Sequence, residues 1–174
     1  MQRRYITVDV FTDRAFGGNP LGVVLDAGGL STEQMQAVAR EFNYSETTFV
    51  LPPADPAHDA QVRIFTVNRE LPFAGHPNVG TAFVLATLAA KLPARLLFEE
   101  GAGLVPVEIV TEQGKVVSTE FTAPQSLKRM SHLAVEQAAA CLSLSAGDIK
   151  TDRHAPQIIS VGLAFLAEIG RAHV

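Results

Sequence analysis

One stretch of the sequence places a glycine and a histidine at the start of an apolar helix. Pro77 suits the first helical position because its missing N–H would be unbonded there, which predicts His76 as the N-cap. The free N–H groups of a helix start attract anions, and Gly75 lets a ligand approach the backbone closely. The stretch therefore predicts a site for a small carboxylate, lined by Gly75, His76 and Asn78.

Three polar residues elsewhere are further candidates for this site. Glu46 begins a predicted strand beside an apolar ring, and a desolvated carboxylate can both donate and accept a proton near neutral pH. Asn19 follows two glycines in a turn, where its amide either reaches a ligand or stabilises the turn. Ser45 lacks the flanking glycines of a nucleophile elbow, so it is either a hydrogen-bond donor to substrate or a loop residue. The competing interpretations are a strand-end charge for Glu46 and a helix cap for His76.

Several chemistries find no support in the sequence. The remaining histidines show no metal-ligand spacing, so we expect no metal site: His58, His132, His154 and His173. The single cysteine, Cys141, cannot form a pair of thiols for acid–base work, and its apolar helical setting predicts a buried structural thiol. The pair Gly17-Gly18 precedes a strand and no Lys-Ser/Thr follows it, which argues against a phosphate loop. We expect no cofactor.

Composition narrows the class of protein. The chain has 174 residues, of which 47% are hydrophobic and 18% charged, a balance typical of a globular protein with a core. A net charge of −4 gives no reason to expect nucleic acid or an anionic membrane as a partner. The sequence shows neither a signal-peptide pattern nor an apolar run of membrane-spanning length, so we expect a cytoplasmic protein.

Strand-like and helical segments alternate along the first 124 residues. The predicted strands comprise residues 5–11, 21–25, 46–51, 60–66, 95–98, 104–110 and 115–121. Ser31 is the predicted N-cap of an amphipathic helix that ends near Asn43. Residues 81–90 are apolar around most of the helix circumference, which predicts a helix buried on all sides. We therefore expect an α/β or α+β arrangement, with a sheet surrounding one buried helix.

The last fifty residues are predicted to begin a second domain. Residues 124–127 have the character of a crossover, followed by a helix over 133–142 and strands over 158–161 and 165–169. So few short elements cannot enclose a core of their own. We expect one domain over residues 1–124 and the start of a second, incomplete domain over residues 125–174.

Five motifs together resemble the N-terminal half of the PhzF family of phenazine-biosynthesis-like isomerases. The resemblance is dense over residues 5–124, and the third and fifth motifs, occurring together in this order, make it specific. The motifs are Phe11-Thr12, Phe16-Gly17-Gly18-Asn19-Pro20, Ser45-Glu46-Thr47-Thr48-Phe49-Val50, Arg63-Ile64-Phe65-Thr66 and Glu70-Leu71-Pro72-Phe73-Ala74-Gly75-His76-Pro77.

The resemblance implies a fold and a mechanism. Members resemble diaminopimelate epimerase: two similar α+β domains, each a mixed sheet around a central helix, with the active site between them. It also implies cofactor-free proton transfer, with Glu46 moving a proton on a cyclic amino-acid-like substrate, as in isomerisation of a dihydro-hydroxyanthranilate. His76 and an aspartate of the second domain would assist. Neither matching motif contains the cysteines that diaminopimelate epimerases use, so a carboxylate mechanism remains.

Two functions of different classes follow. Full-length members are longer than this chain, and their further residues are expected to hold the partner aspartate and a second glycine-rich helix start. The chain is then part of a cofactor-independent isomerase acting on a small carboxylate. The alternative is a catalytically inactive module that binds a small carboxylate or assembles with itself. Because an unfinished domain exposes an apolar face, self-association, as a homodimer, is expected in either case.

Overall fold

The computed structural model describes residues 2–170, which divide into two units at Pro124 and Gln125. In the first unit the strands are β1 (Tyr5–Val10), β2 (Asn19–Val24), β3 (Glu46–Leu51), β4 (Ala60–Phe65), β5 (Glu70–Leu71), β6 (Arg95–Glu100), β7 (Gly103–Glu112) and β8 (Lys115–Phe121). Its helices are α1 (Thr32–Phe42) and α2 (Gly75–Leu88). Within residues 2–170, no helix has the length and apolar character needed to cross a membrane.

The eight strands of the first unit form one mixed sheet. Its order is β1-β2-β3-β4-β6-β7-β8, with β5 paired to β4. The pairs β2–β3 and β4–β6 are parallel and the others antiparallel. Strands from both ends of this order contact α2, so the sheet curls around that helix. The predicted α+β fold, with a mixed sheet around a central helix, is confirmed.

Helix α2 is buried on most but not all of its circumference. Thr81, Ala82 and Ala86 have no exposed surface, because the sheet covers them. Phe83 and Leu88, by contrast, are 36% and 52% exposed. The prediction of burial on all sides was therefore wrong for one side of the helix. Phe83 lines a groove between β1 and β8, the two ends of the strand order, which are not paired with each other.

Gly80 lets α2 approach the first two strands. A Cβ at this position would lie 2.6 Å from Leu21 Cδ2 and 2.8 Å from Val10 Cγ2, closer than packed carbon atoms allow. Both of those side chains belong to a core cluster formed by β1, β2 and α2. The absence of a side chain at Gly80 therefore sets the distance between the helix and the sheet.

Gly80→Ala is expected to destabilise the protein by about 1 to 3 kcal/mol, because the added methyl group overpacks a filled core. Urea unfolding followed by circular dichroism measures the change. Gly28→Ala is the matched control, since a Cβ there would lie at an ordinary 3.7 Å from Pro52. Equal stability of the two variants would contradict this account of Gly80.

Helix α1 begins and ends at the residues that the sequence predicts. Ser31 is the N-cap and forms a capping box with Gln34, and Asn43 ends the helix in the left-handed conformation. The buried face, which includes Met35 and Ala39, packs on the aromatic pair Phe49 and Phe65. The predicted amphipathic helix is confirmed, with bounds Thr32–Phe42.

The second unit, from Gln125 onwards, contains a separate three-stranded antiparallel sheet. Its elements are β9 (Lys128–His132), α3 (Val135–Cys141), a short 3-10 helix (Ala146–Asp148), β10 (Gln157–Ser160) and β11 (Ala164–Ala167). β10 is the central strand. The prediction that this unit begins a second epimerase-like domain stays a prediction.

In the second unit, one strand was not predicted and one expectation was wrong. Strand β9 was not predicted, because all five of its residues are exposed and their sequence lacks an alternation of apolar and polar residues. Cys141 is exposed rather than buried. The buried face of α3 is formed by Ala138 and Ala139, and Cys141 is the last residue of this short helix, outside that face.

Candidate active site

The side chains of Glu46 and His76 meet at the centre of the candidate site. Glu46 Oε2 lies 3.2 Å from His76 Nδ1, and the two side chains are only 18% and 8% exposed. Glu46 is the first residue of β3, and His76 is the second residue of α2. An imidazole and a carboxylate in contact, largely removed from water, can hold and transfer a proton.

The parallel pairing of β2 and β3 brings three predicted residues to one edge of the sheet. Leu21 pairs with Glu46, so the beginnings of both strands lie side by side. At this edge the hydroxyl of Ser45 donates a hydrogen bond to Asn19 Oδ1 over 2.8 Å. Ser45 is exposed and Asn19 half-buried, so both side chains border solvent beside Glu46.

A buried hydrogen bond connects the strand of Glu46 to the helix of His76. The hydroxyls of Thr48 and Thr81 lie 2.8 Å apart, and neither side chain has any exposed surface. Because a buried hydroxyl without a partner is costly, this pair favours one position of α2 along β3. That position is the one in which His76 reaches Glu46.

Burial and a neighbouring charge shift the pKa of the His76 imidazole in opposite directions. Desolvation lowers its pKa below the ordinary value of 6.5, and the negative charge of Glu46 and the backbone of Pro20 oppose this only in part. His76 is therefore mainly neutral at pH 7. Its Nε2 atom is buried and makes no hydrogen bond of good geometry within residues 2–170.

The start of α2 differs from the prediction. The helix begins at Gly75 and its N-cap is Ala74, so Pro77 is the third helical residue and His76 is not the cap. The extended conformation of Ala74 allows the helix to begin before the proline, since proline is tolerated throughout the first turn. No side chain caps this end, so first-turn N–H groups are available to a ligand.

Gly75 and Asn78 occupy different surroundings at this helix start. A Cβ on Gly75 would lie 3.3 Å from the ring of Phe121, so glycine allows close packing there. Asn78 has no exposed surface, and its Nδ2 donates to the Ala74 carbonyl over 3.0 Å. Asn78 thus supports the helix start from inside and does not face a ligand, in contrast to the direct substrate contact that the sequence predicts.

Replacing Glu46 by glutamine is expected to lower the pKa of His76 further, because the negative charge that stabilises the imidazolium is removed while burial is kept. Titration of the His76 ring by NMR measures the shift. Glu41→Gln, an exposed substitution on α1, is the matched control and is expected to leave the titration unchanged. A rise in the His76 pKa in Glu46→Gln would contradict this account.

Three features of the site were not predicted. They are the approach of Pro20 to His76, the hydrogen bond between Thr48 and Thr81, and the buried carboxyl group of Glu100 beside Asn78. Each joins residues distant in sequence, and no local pattern reports such a contact. No cluster of three or more metal-ligand side chains occurs among the residues that the structure describes.

Sequence comparison places this geometry among known proteins. The family model PhzC-PhzF, described as phenazine biosynthesis-like protein, matches residues 8–167. An uncharacterised isomerase of Mesorhizobium japonicum is 43% identical over 94% of this chain and 55% of its own length. The trans-2,3-dihydro-3-hydroxyanthranilate isomerase of Pseudomonas aeruginosa is 40% identical over 98% of this chain and 60% of its own length.

Solved structures of similar fold include proteins described as epimerases. A predicted epimerase of Pseudomonas aeruginosa superposes with a TM-score of 0.85 at 32% identity, covering 98% of this chain and 60% of that one. A hydroxyproline epimerase of Agrobacterium vitis shares the fold with a TM-score of 0.63 at 13% identity, covering 94% of this chain and 50% of that one. The chain thus spans between half and two thirds of the length of these proteins.

Proposed function

Because the chain belongs to the PhzC-PhzF family of phenazine biosynthesis-like proteins, we propose that it forms part or all of a cofactor-independent isomerase working by acid–base proton transfer. The observation that carries the proposal is the contact between Glu46 and His76 beside an uncapped helix start. The substrate class is a small cyclic, amino-acid-like carboxylate, by analogy with the substrate in the name of the Pseudomonas aeruginosa relative.

In the proposed reaction Glu46 carries the proton. Its carboxylate accepts a proton from one carbon of the substrate, which breaks a C–H bond, and then donates a proton to another carbon, where a new C–H bond forms. The carboxyl proton exchanges with solvent between the two steps, so in D2O the new bond carries deuterium. Neutral His76, whose Nδ1 lies 3.2 Å from Glu46 Oε2, contacts that carboxylate and orients it. No electron is gained or lost overall, so the reaction is an isomerisation.

We assign substrate binding to the surroundings of this pair. The free N–H groups at Gly75 and His76 suit a carboxylate, because a helix start favours negative charge. Asn19 and Ser45 lie beside Glu46 and can hydrogen-bond polar groups of the substrate ring. Asn78 acts from inside, through the Ala74 carbonyl.

The direct test follows solvent deuterium. The complete gene product that contains this sequence is incubated in D2O with trans-2,3-dihydro-3-hydroxyanthranilate, and the reaction is followed by NMR. The expected result is an isomerised product that carries deuterium at the carbon that receives the proton. Binding without conversion or exchange would overturn the isomerase proposal and favour the carboxylate-binding module.

Self-association is a separate proposal, supported by the second unit. Large apolar side chains are exposed there, at 38 to 60%: Leu127, Met130, Leu142 and Phe165. Because exposed apolar surface favours association, we expect a dimer or larger homo-oligomer. Gel filtration with light scattering measures the mass, and a monomer at all concentrations would contradict it. A cytoplasmic location likewise stays a proposal.

A further inference from the structure

The turn after β6 packs against the segment that leads into α2. The N–H of Ala102 donates to the Pro72 carbonyl over 2.9 Å. A Cβ on Gly101 would lie 3.1 Å from Pro72 Cα, so the two backbones are in close contact. Because Pro72 lies two residues before the N-cap Ala74, the turn is in a position to influence where the helix begins.

Asn78 connects the same turn to the first residues of the helix. It is fully buried, and its Nδ2 donates to the carbonyl of Ala74, the residue directly before Gly75 and His76. Its side chain also adjoins the carboxyl group of Glu100, the last residue of β6. A change in the protonation of Glu100 can therefore affect the start of α2 through the Asn78 side chain.

Glu100 is an uncommon carboxyl group. Both of its oxygens are buried, and neither makes a hydrogen bond of good geometry among the described residues; the same holds for Asn78 Oδ1. Burial raises the pKa of Glu100 to about 8, and the Asn78 amide opposes this only in part. At pH 7 the group is mainly protonated, and its O–H supplies a donor to a place that otherwise contains unpaired acceptors.

The charged side chains near Glu100 form ion pairs with other residues. A groove of about 470 Å³ beside it is lined by Arg63 and Glu70, which pair with each other over 2.6 Å, and by Glu99. Glu99 contacts His58 over 2.7 Å and accepts two backbone N–H groups of the loop after β3. Glu100 also lines this groove, but among the described residues no ion pair joins it to these groups.

We propose that the buried Glu100 carboxyl group, acting through Asn78, is a positioning residue that holds Gly75 and His76 in place at the start of α2. The inference rests on the proposed function, because these two residues are the ones that substrate and Glu46 would meet. Loss of the Glu100 proton places a charge against Asn78 in a buried position. The first turn of α2 then shifts to hydrate that charge, and His76 moves relative to Glu46.

The test is an NMR titration of the chain without substrate. The titration runs from about pH 6 to pH 10, on either side of the Glu100 pKa of about 8. It follows the amide resonances of Gly75 and His76 and the ring resonances of His76. Wild type is compared with Glu100→Gln, which keeps a neutral side chain of the same shape. Glu112→Gln, an exposed substitution on β7, is the matched control.

The expected result is a transition near pH 8 at Gly75 and His76 in wild type and Glu112→Gln, and none in Glu100→Gln. Asn78→Ala is expected to uncouple Glu100 from the start of α2. In this variant the carboxyl carbon resonance of Glu100 still titrates, while the His76 resonances show no transition near pH 8. Absence of the transition in wild type, or its persistence in Glu100→Gln, overturns the proposal, and this comparison decides alone if Asn78→Ala does not fold. Since no substrate is present, the outcome is independent of the isomerase assay.

Discussion

Glu46→Gln is expected to reduce deuterium incorporation into substrate by about 10²- to 10⁴-fold, the contribution typical of a positioned acid–base group. Glutamine keeps the shape of the side chain and its contact with His76, but it cannot carry the proton. Because the proposed carboxylate site at Gly75 is unchanged, substrate affinity is expected to stay within a few-fold of wild type. Exchange rates by NMR and affinity by calorimetry separate the two effects.

Glu41→Gln serves as the control for this measurement. It makes the same chemical change on the exposed surface of α1, away from the sheet edge that carries Glu46. Exchange at the wild-type rate in Glu46→Gln would remove Glu46 from the mechanism. A parallel loss of binding would instead show that Glu46 acts mainly in holding the substrate.

Glu100→Gln is expected to stabilise the protein strongly at alkaline pH. A carboxyl group whose pKa rises on folding, from 4.5 to about 8, favours the folded state below pH 4.5 and loses that contribution as the pH increases through 8. The full difference corresponds to on the order of 5 kcal/mol, a large part of the stability of a typical domain. Urea unfolding of wild type and variant near pH 4.5 and pH 9 measures it.

The stabilisation must depend on pH to support this explanation. Near pH 4.5 the glutamic acid is neutral in the folded state and about half ionised in the unfolded state, so ionisation changes the free energy of unfolding by less than about 0.5 kcal/mol there. Wild type and Glu100→Gln should therefore have closely similar stability at this pH. Glu112→Gln, which changes an exposed carboxylate, is expected to differ little from wild type at either pH. An equal effect of Glu100→Gln at both values would point to packing rather than to ionisation.

The predictable part of the fold is the part with local patterns. Alternating residues predict β1, and the N-cap residue Ser31 predicts the start of α1, because both patterns depend on residues a few positions apart. The two-residue strand β5 and the exposed strand β9 have no such pattern and were missed. The exposure of Phe83 depends on strands that do not pair, which the sequence of α2 does not report.

In the candidate site, too, local sequence patterns predict some features and miss those that depend on tertiary contacts. Motifs predict that Glu46 and His76 belong to one site, but their contact requires the parallel pairing of β2 with β3 and the position of α2. Asn78 was assigned to the substrate site because it is close in sequence to Gly75 and His76, but its side chain is fully buried. It lies two residues after His76, yet the helical rotation directs its side chain inward to Glu100.

The alanine at the N-cap of α2 has a thermodynamic consequence. A serine or aspartate there would satisfy a first-turn N–H and stabilise the free protein by about 1 kcal/mol, whereas Ala74 leaves that capacity unused. An anionic ligand can supply the missing acceptor from outside the chain. Ligand occupancy and resistance to unfolding are then linked equilibria, so a bound carboxylate completes the helix as well as occupying the site.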